Sequence, residues 1–257
     1  MMHQSAKRRI LITGAAGRIG QILARAWANV YDLVLVDVRP AQNASVPILQ
    51  IDAAESDVMR NLCQDVDTVI PLAISGNMHD NWNALIPVNL TATQTAYLAA
   101  SEQGCRRIIF PSSIQIGLNP NSPYTRSKTW GEKLGRRYAK RTSLSVICLR
   151  LGRVLPADAP GIIPGTWFLD HVLTYGDLVR LFTASVEAPD EFRYGIFWGL
   201  SANTFNRFDI SETCRVLGYQ PQDNAFLLAE QTAKSWHGRW RMEKSIWKKR
   251  LEKWLNY

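Results

Sequence analysis

Between residues 9 and 151 the chain alternates two backbone periodicities, and that alternation restricts the fold more than any other feature. Short apolar runs rich in β-branched residues, at 9–13, 32–37, 46–52, 68–73, 107–111 and 144–151, read as strands. Segments of helical period at 18–30, 56–64, 88–103 and 128–141 fall between most of them. Almost every strand is apolar throughout rather than at alternate positions, as a sheet covered on both faces requires. The pattern predicts an α/β fold with a doubly wound parallel sheet. After Leu151 the regularity loosens. The run Pro156-Ala157-Asp158-Ala159-Pro160-Gly161-Ile162-Ile163-Pro164-Gly165 reads as a loop poised over a substrate, followed by a helix at 176–187, a strand at 194–199 and a helix at 210–217.

Composition removes several other classes. With 257 residues, 46% hydrophobic and 20% charged, the chain suits a single domain over 1–257 and neither disorder nor a fibrous repeat. No apolar run reaches the roughly 18 residues of a membrane span, and the N-terminal residues lack the pattern of a signal peptide. A cytoplasmic location is expected. Cys63, Cys105, Cys148 and Cys214 are far apart, with no CxxC pair, so no metal site or disulfide framework is expected. The net charge of +8 hints at nucleic acid only if it is spread over the chain, and it is not: residues 233–257 carry eight Lys and Arg against two Glu. This tail also places Trp240, Trp247, Leu251 and Trp254 on one helical face. It reads as a basic, Trp-rich C-terminal helix packed on the domain or on a second subunit. A homo-oligomer is expected, without nucleic acid and without stable membrane association.

The run Thr13-Gly14-Ala15-Ala16-Gly17-Arg18-Ile19-Gly20 lies between the first strand and the first helix. Glycines there let the backbone approach a pyrophosphate, and a helix N-terminus offers free N–H groups to it. Glycines also close tight turns for packing alone, so the context matters: Asp37 ends the second strand 17 residues after Gly20. The reading is a Rossmann-type dinucleotide site with Asp37 on the adenosine ribose hydroxyls. A carboxylate there repels a 2′-phosphate and favours NAD over NADP, whereas Arg18 and Arg39 nearby argue the other way.

A second constellation is Tyr124-Thr125-Arg126-Ser127-Lys128, preceded by Phe110-Pro111-Ser112-Ser113 at a strand end. Positions i and i+4 share a helix face, which brings the Lys128 ammonium toward the Tyr124 phenol and favours the phenolate. A serine hydroxyl across the cleft orients the reacting oxygen. Alone, YxxxK is common and marks an exposed tyrosine and a solvated lysine. After a dinucleotide fingerprint it points to a general base.

These motifs resemble those of an extended short-chain dehydrogenase/reductase of the NAD-dependent epimerase/dehydratase group, and within it the uronate dehydrogenases. The resemblance covers nearly all of residues 8–225. It rests on the glycine run, Asp37, Ile51-Asp52, Pro71-Leu72-Ala73, Asn89, and the stretches 197–204 and 217–225. It implies NAD held by Gly14, Ala16, Gly17, Arg18, Ile19, Gly20, Asp37, Val38, Asp52, Ala53, Leu72, Ala73, Asn89, Tyr124 and Lys128. It implies catalysis by Ser113, Tyr124 and Lys128 with Asn89 in support, and Ser112 as the alternative serine. The substrate it implies is a small sugar or sugar acid, uronic acids among them, with contacts expected from Ser75, Ser113 and Arg153 and a covering region over 152–232.

Departures from the family pattern are informative. The stretch Ser112-Ser113-Ile114-Gln115-Ile116-Gly117 is one residue shorter than usual, so counting from Phe110 selects Ser113 and counting back from Gly117 selects Ser112. Ser113 is preferred. Only ten residues separate Ser113 from Tyr124, about half the family's usual interval, which trims one wall of the pocket. Uronate dehydrogenases present an arginine from the loop after the sixth strand, yet no arginine lies between Pro156 and Leu178. Arg153 is the nearby candidate, and a surface or capping arginine is its alternative reading. His79 and His171 are read as loop histidines without a carboxylate partner, and Asp177 as a helix cap. Two other functions stand beside sugar oxidation: a nucleotide-sugar epimerase or dehydratase, for which the chain is short, and a non-catalytic NAD-binding sensor or scaffold, which has no need of a base.

Overall fold

The computed structural model describes residues 7–40, 46–74, 80–159 and 161–237. Ser75 and His79, and most of the predicted tail helix with its tryptophan stripe from Trp240 onward, lie outside the described residues. Seven strands form one sheet in which every pairing is parallel, in the order β3-β2-β1-β4-β5-β6-β9. They are β1 (Arg9–Thr13), β2 (Asp32–Asp37), β3 (Leu49–Gln50), β4 (Thr68–Pro71), β5 (Arg107–Ser113), β6 (Ser145–Leu151) and β9 (Tyr194–Gly199). The strand order reverses direction between β1 and β4, the position at which open α/β sheets bind ligands.

Strand geometry splits the core into two layers. Successive side chains point to opposite faces, so Ile10 and Ile12 of β1 join one buried cluster and Leu11 the other. On β6, Ile147, Leu149 and Leu151 face the first layer, and Val146 and Cys148 the second. The first layer is closed by α1 (Arg18–Trp27), α7 (Tyr175–Val186) and α8 (Ser211–Leu217). The second is closed by α2 (Ser56–Leu62), α4 (Ala92–Glu102) and α6 (Pro123–Arg141). Two small-residue positions allow close approach: a Cβ on Gly131 meets the Phe110 ring at 2.2 Å, and one on Gly20 meets the Ala15 backbone at 2.6 Å.

Several boundaries differ from the sequence expectation, each for a physical reason. The third strand shrinks from 46–52 to two exposed residues, because it is an edge strand paired only with Val36 and Asp37. The fifth strand runs past Pro111 through both serines, where β6 continues to pair with it as far as Leu151. The helix expected from Val88 begins as α3 (Trp82–Leu85) and continues through a π-helical turn, Ile86–Thr91. There the Ala92 N–H reaches the carbonyl of Pro87 five residues back.

The loop after Leu151 is more ordered than a bare lid. β7 (Arg153–Leu155) and β8 (Val172–Thr174) pair in parallel as a second, two-stranded sheet. A third apolar cluster beneath it joins Leu155, Ile162, Phe168 and Val172 to Ala225 and Ala229 of α9 (Ala225–His237). Asp177 is not the cap that its position suggested. The Thr174 hydroxyl accepts the Asp177 N–H, while the fully buried Asp177 carboxylate accepts the N–H groups of Gln222 and Asp223 at 2.8 and 3.0 Å. An Arg180 guanidinium adds a contact at 2.7 Å, so Asp177 ties the C-terminal segment to α7.

Candidate active site

The glycine turn joins the C-terminal end of β1 to α1. Gly14 has φ +69°, a left-handed value that glycine adopts at little cost. A Cβ there meets the Leu72 and Ala73 backbone at 2.4 and 2.5 Å, so the turn packs directly on the end of β4. The Leu72 N–H donates to the Thr13 carbonyl at 3.0 Å and the Ala73 N–H to the Thr13 hydroxyl at 3.2 Å. Gly17 is the N-cap of α1; no side chain caps the helix and no acid occupies its first turn, where Arg18 and Ile19 lie. A pyrophosphate fits such an uncapped N-terminus.

Asp37, at the end of β2, is buried and already organised. One carboxylate oxygen accepts the Ala16 N–H at 3.0 Å, and the other accepts the Arg39 N–H at 2.9 Å and its Nε at 3.3 Å. The arginine read as evidence for a phosphate is therefore paired with the acid read as evidence against one. Val38 beside it is exposed. Asp52 is exposed and turns onto its own loop, accepting the Ala54 N–H at 2.9 Å, while Ala53 is buried.

The two serines have different partners. Ser112 donates to the Glu132 carboxylate at 2.6 Å, a contact that turns it away from the tyrosine. Ser113 accepts the Gln115 N–H at 3.2 Å and lies close enough to the Tyr124 phenol to affect its ionisation. Burial pushes the Tyr124 phenol up, and the contact with Ser113 draws it back. Tyr124 and Lys128 lie in the first turns of α6, whose N-cap Ser122 accepts the Thr125 N–H.

Lys128 departs from the simplest expectation. Its ammonium donates to the Pro111 carbonyl at 2.7 Å rather than to the phenol, and lies 5.3 Å from the Phe110 ring centroid and 5.6 Å from that of Tyr124. Only 1% of the residue is exposed, and desolvation brings its pKa down to about 7, with the Glu132 charge opposing the fall. Asn89 is buried in the π-helical turn and donates to the Ser127 hydroxyl at 3.1 Å; Ser127 in turn donates to the Tyr124 carbonyl at 2.6 Å. Asn89 thus holds the α6 backbone at the tyrosine.

Arg153 opens β7 directly after β6, with its guanidinium 4.3 Å from the Phe168 ring centroid. Burial lowers its pKa, and the charge of Arg18 adds to the effect. His171 does have a carboxylate partner, contrary to the sequence expectation: its Nδ1 lies 2.6 Å from Asp170, which also accepts from Arg207 at 2.7 Å. Burial nevertheless lowers the His171 pKa. Sequence reasoning passed over Glu132 and Arg150, whose two contacts at 2.8 Å form a partly buried ion pair behind the site. The available signal was the placement of Glu132 four residues after Lys128, on the same helix face. Among the described residues no cluster of potential metal ligands occurs.

A glycine turn at the β1–β4 reversal, beside a helix-borne tyrosine and lysine that face a strand-terminal serine, defines a Rossmann-type dinucleotide-binding protein. The chain belongs to the NAD dependent epimerase/dehydratase family, whose model matches residues 10–164. It is similar to an NAD-dependent glucose-6-phosphate dehydrogenase of Haloferax volcanii, with 28% identity over 84% of this chain and 94% of the relative. A uronate dehydrogenase of Pseudomonas putida is 30% identical over 84% of this chain and 85% of its own. Among solved structures, uronate dehydrogenase from Agrobacterium tumefaciens superimposes with a TM-score of 0.75 at 26% identity, over 88% of this chain and 89% of that one.

Proposed function

We propose that the chain is an NAD-dependent dehydrogenase that oxidises a hydroxyl group of a small sugar or sugar acid. The observation that carries this reading is the placement of Tyr124 and Lys128 on α6 beside Ser113 at the C-terminal end of β5, the same end of the sheet that bears the glycine turn after β1. The named dehydrogenases to which the chain is similar act on a sugar phosphate and on uronates, according to their names. NAD, when bound along the glycine turn, supplies the hydride acceptor.

The chain's own residues do the rest. Ser113 orients the reacting hydroxyl, and the Tyr124 phenolate oxygen takes up its proton. Lys128 holds positive charge beneath the tyrosine, and Asn89 secures the backbone that carries both. Asp37 receives the adenosine ribose and favours NAD over NADP, with Arg39 held on its carboxylate. Arg153 faces an anionic group of the substrate. The region 152–232 covers that substrate, with Ser75 as a further contact. The chain acts as a cytoplasmic homo-oligomer, a reading supported by its four free cysteines and by the tryptophan stripe of the tail. Among the described residues no helix is long and apolar enough to cross a membrane.

The test is a panel of free sugars, uronic acids, sugar phosphates and nucleotide sugars, assayed for NADH formation by the purified chain. Turnover of a free sugar or sugar acid is expected, reduced on the order of 10² to 10⁴ by Tyr124→Phe with NAD binding retained. NAD binding without turnover of any member, or near-normal turnover by Tyr124→Phe, overturns the reading.

A further inference from the structure

Behind the candidate site lies a buried acid that the proposed chemistry does not use. Glu132 is 4% exposed. Its carboxylate accepts the Ser112 hydroxyl at 2.6 Å and two Arg150 nitrogens at 2.8 Å each. The Arg150 guanidinium is itself seated 4.8 Å from the Trp198 ring centroid, and that indole stacks on Phe208 at 4.0 Å. One helical turn earlier on α6, Lys128 donates to Pro111. Two side chains four apart on one helix are therefore fastened to consecutive residues of β5, Pro111 and Ser112, immediately before Ser113.

The charges in this layer are few. Around Lys128 and Glu132 the titratable neighbours are Tyr124 from α6, Tyr97 from α4, Cys148 and Arg150 from β6, and Tyr194 from β9, whose hydroxyl donates to the Glu132 carbonyl at 3.1 Å. Burial pushes Tyr97, Cys148 and Tyr194 up, so all three stay neutral near pH 7. Glu132 and Arg150 remain as the fixed charges. Burial disfavours the Lys128 ammonium, and Glu132 is the neighbour that acts against this. A desolvated ammonium is stable only beside a compensating charge or polar group.

We propose that Glu132 is a positioning residue for the Tyr124–Lys128 pair: held by Ser112 and Arg150, its carboxylate supplies the negative charge that retains the Lys128 ammonium in a dry layer and so sets how Tyr124 faces Ser113. Ser112, the first serine of the tandem, thereby acquires a task distinct from that of Ser113. Only the kinetic half of this inference rests on the dehydrogenase reading.

The test reads Lys128 directly, by carbon-NMR titration of lysine Cε in the full chain, with the resonance identified by its loss in Lys128→Met. The midpoint is expected near 7 in the unmodified chain. Glu132→Gln lowers it by about one pH unit, roughly a tenfold loss of proton affinity, and Glu132→Asp restores most of the shift. Arg150→Met, which leaves the carboxylate less neutralised, moves the midpoint up. With a turned-over substrate, the alkaline limb of kcat/KM moves in the same sense in each variant, and kcat changes more than KM. A folded Glu132→Gln chain with an unmoved Lys128 midpoint overturns the proposal. Where Glu132→Gln does not fold, an Arg150→Met midpoint at or below that of the unmodified chain overturns it instead. A chain that turns over no sugar refutes the dehydrogenase reading, while the titration still decides the role of Glu132.

Discussion

Alanine at each serine of the tandem separates chemistry from packing. Ser112 and Ser113 are neighbours on one strand and lose the same atom, yet their hydrogen-bond partners differ: the Glu132 carboxylate for the first and the Gln115 N–H for the second. Ser112→Ala leaves the buried Glu132 carboxylate with Arg150 alone. A hydrogen bond to a charged group contributes about 1.5–3 kcal/mol. At about 2–4 °C per kcal/mol for a domain of this size, Tm falls by roughly 3–12 °C, and kcat changes less than about tenfold. Ser113→Ala removes the hydroxyl that, in the proposed mechanism, orients the reacting oxygen. Loss of one such preorganised contact costs on the order of 10² to 10³ in kcat, with Tm nearly unchanged because only the Gln115 N–H loses a partner at the helix start. Thermal unfolding and steady-state NADH formation measured on the two variants give opposite profiles. A Ser112→Ala chain that keeps its Tm and loses two orders of magnitude in kcat would refute the assignment of partners to the two serines.

Three further outcomes follow from named contacts. Asp37→Ala narrows the preference for NAD over NADP, because it removes the buried carboxylate and frees Arg39; titration of both cofactors checks this, and an unchanged ratio counts against the role of Asp37. Arg153→Ala raises KM for an acidic substrate several-fold while leaving kcat within a few-fold, and an unchanged KM argues that Arg153 meets no anionic group. Asp177→Ala breaks the contacts to Gln222, Asp223 and Arg180. The Gln222 and Asp223 N–H groups each lose a charged acceptor, and one hydrogen bond to a charged group contributes about 1.5–3 kcal/mol, so the chain unfolds at lower denaturant, and a variant of native stability would show that the tie to α7 is dispensable.

What the sequence by itself determined is the local and the periodic. Continuous apolar runs separated by helical segments lead to a parallel sheet because each residue's side is set by its own strand geometry, as the split of Ile10, Leu11 and Ile12 between two layers shows. The glycine turn was legible for the same reason: a left-handed residue and a close backbone approach at Gly14 are demands that one residue type meets best. That Tyr124 and Lys128 share one helix face followed from their spacing. Tertiary structure decided what depends on partners remote in the chain. It gave the tandem serines different partners, because Glu132 reaches β5 from a helix that sequence counting could not register against it. It gave Lys128 a carbonyl rather than the phenol and turned Asp177 from a cap into a tie across some 45 residues. Burial and the charge of distant neighbours set these outcomes, and neither is a property of any short stretch of sequence.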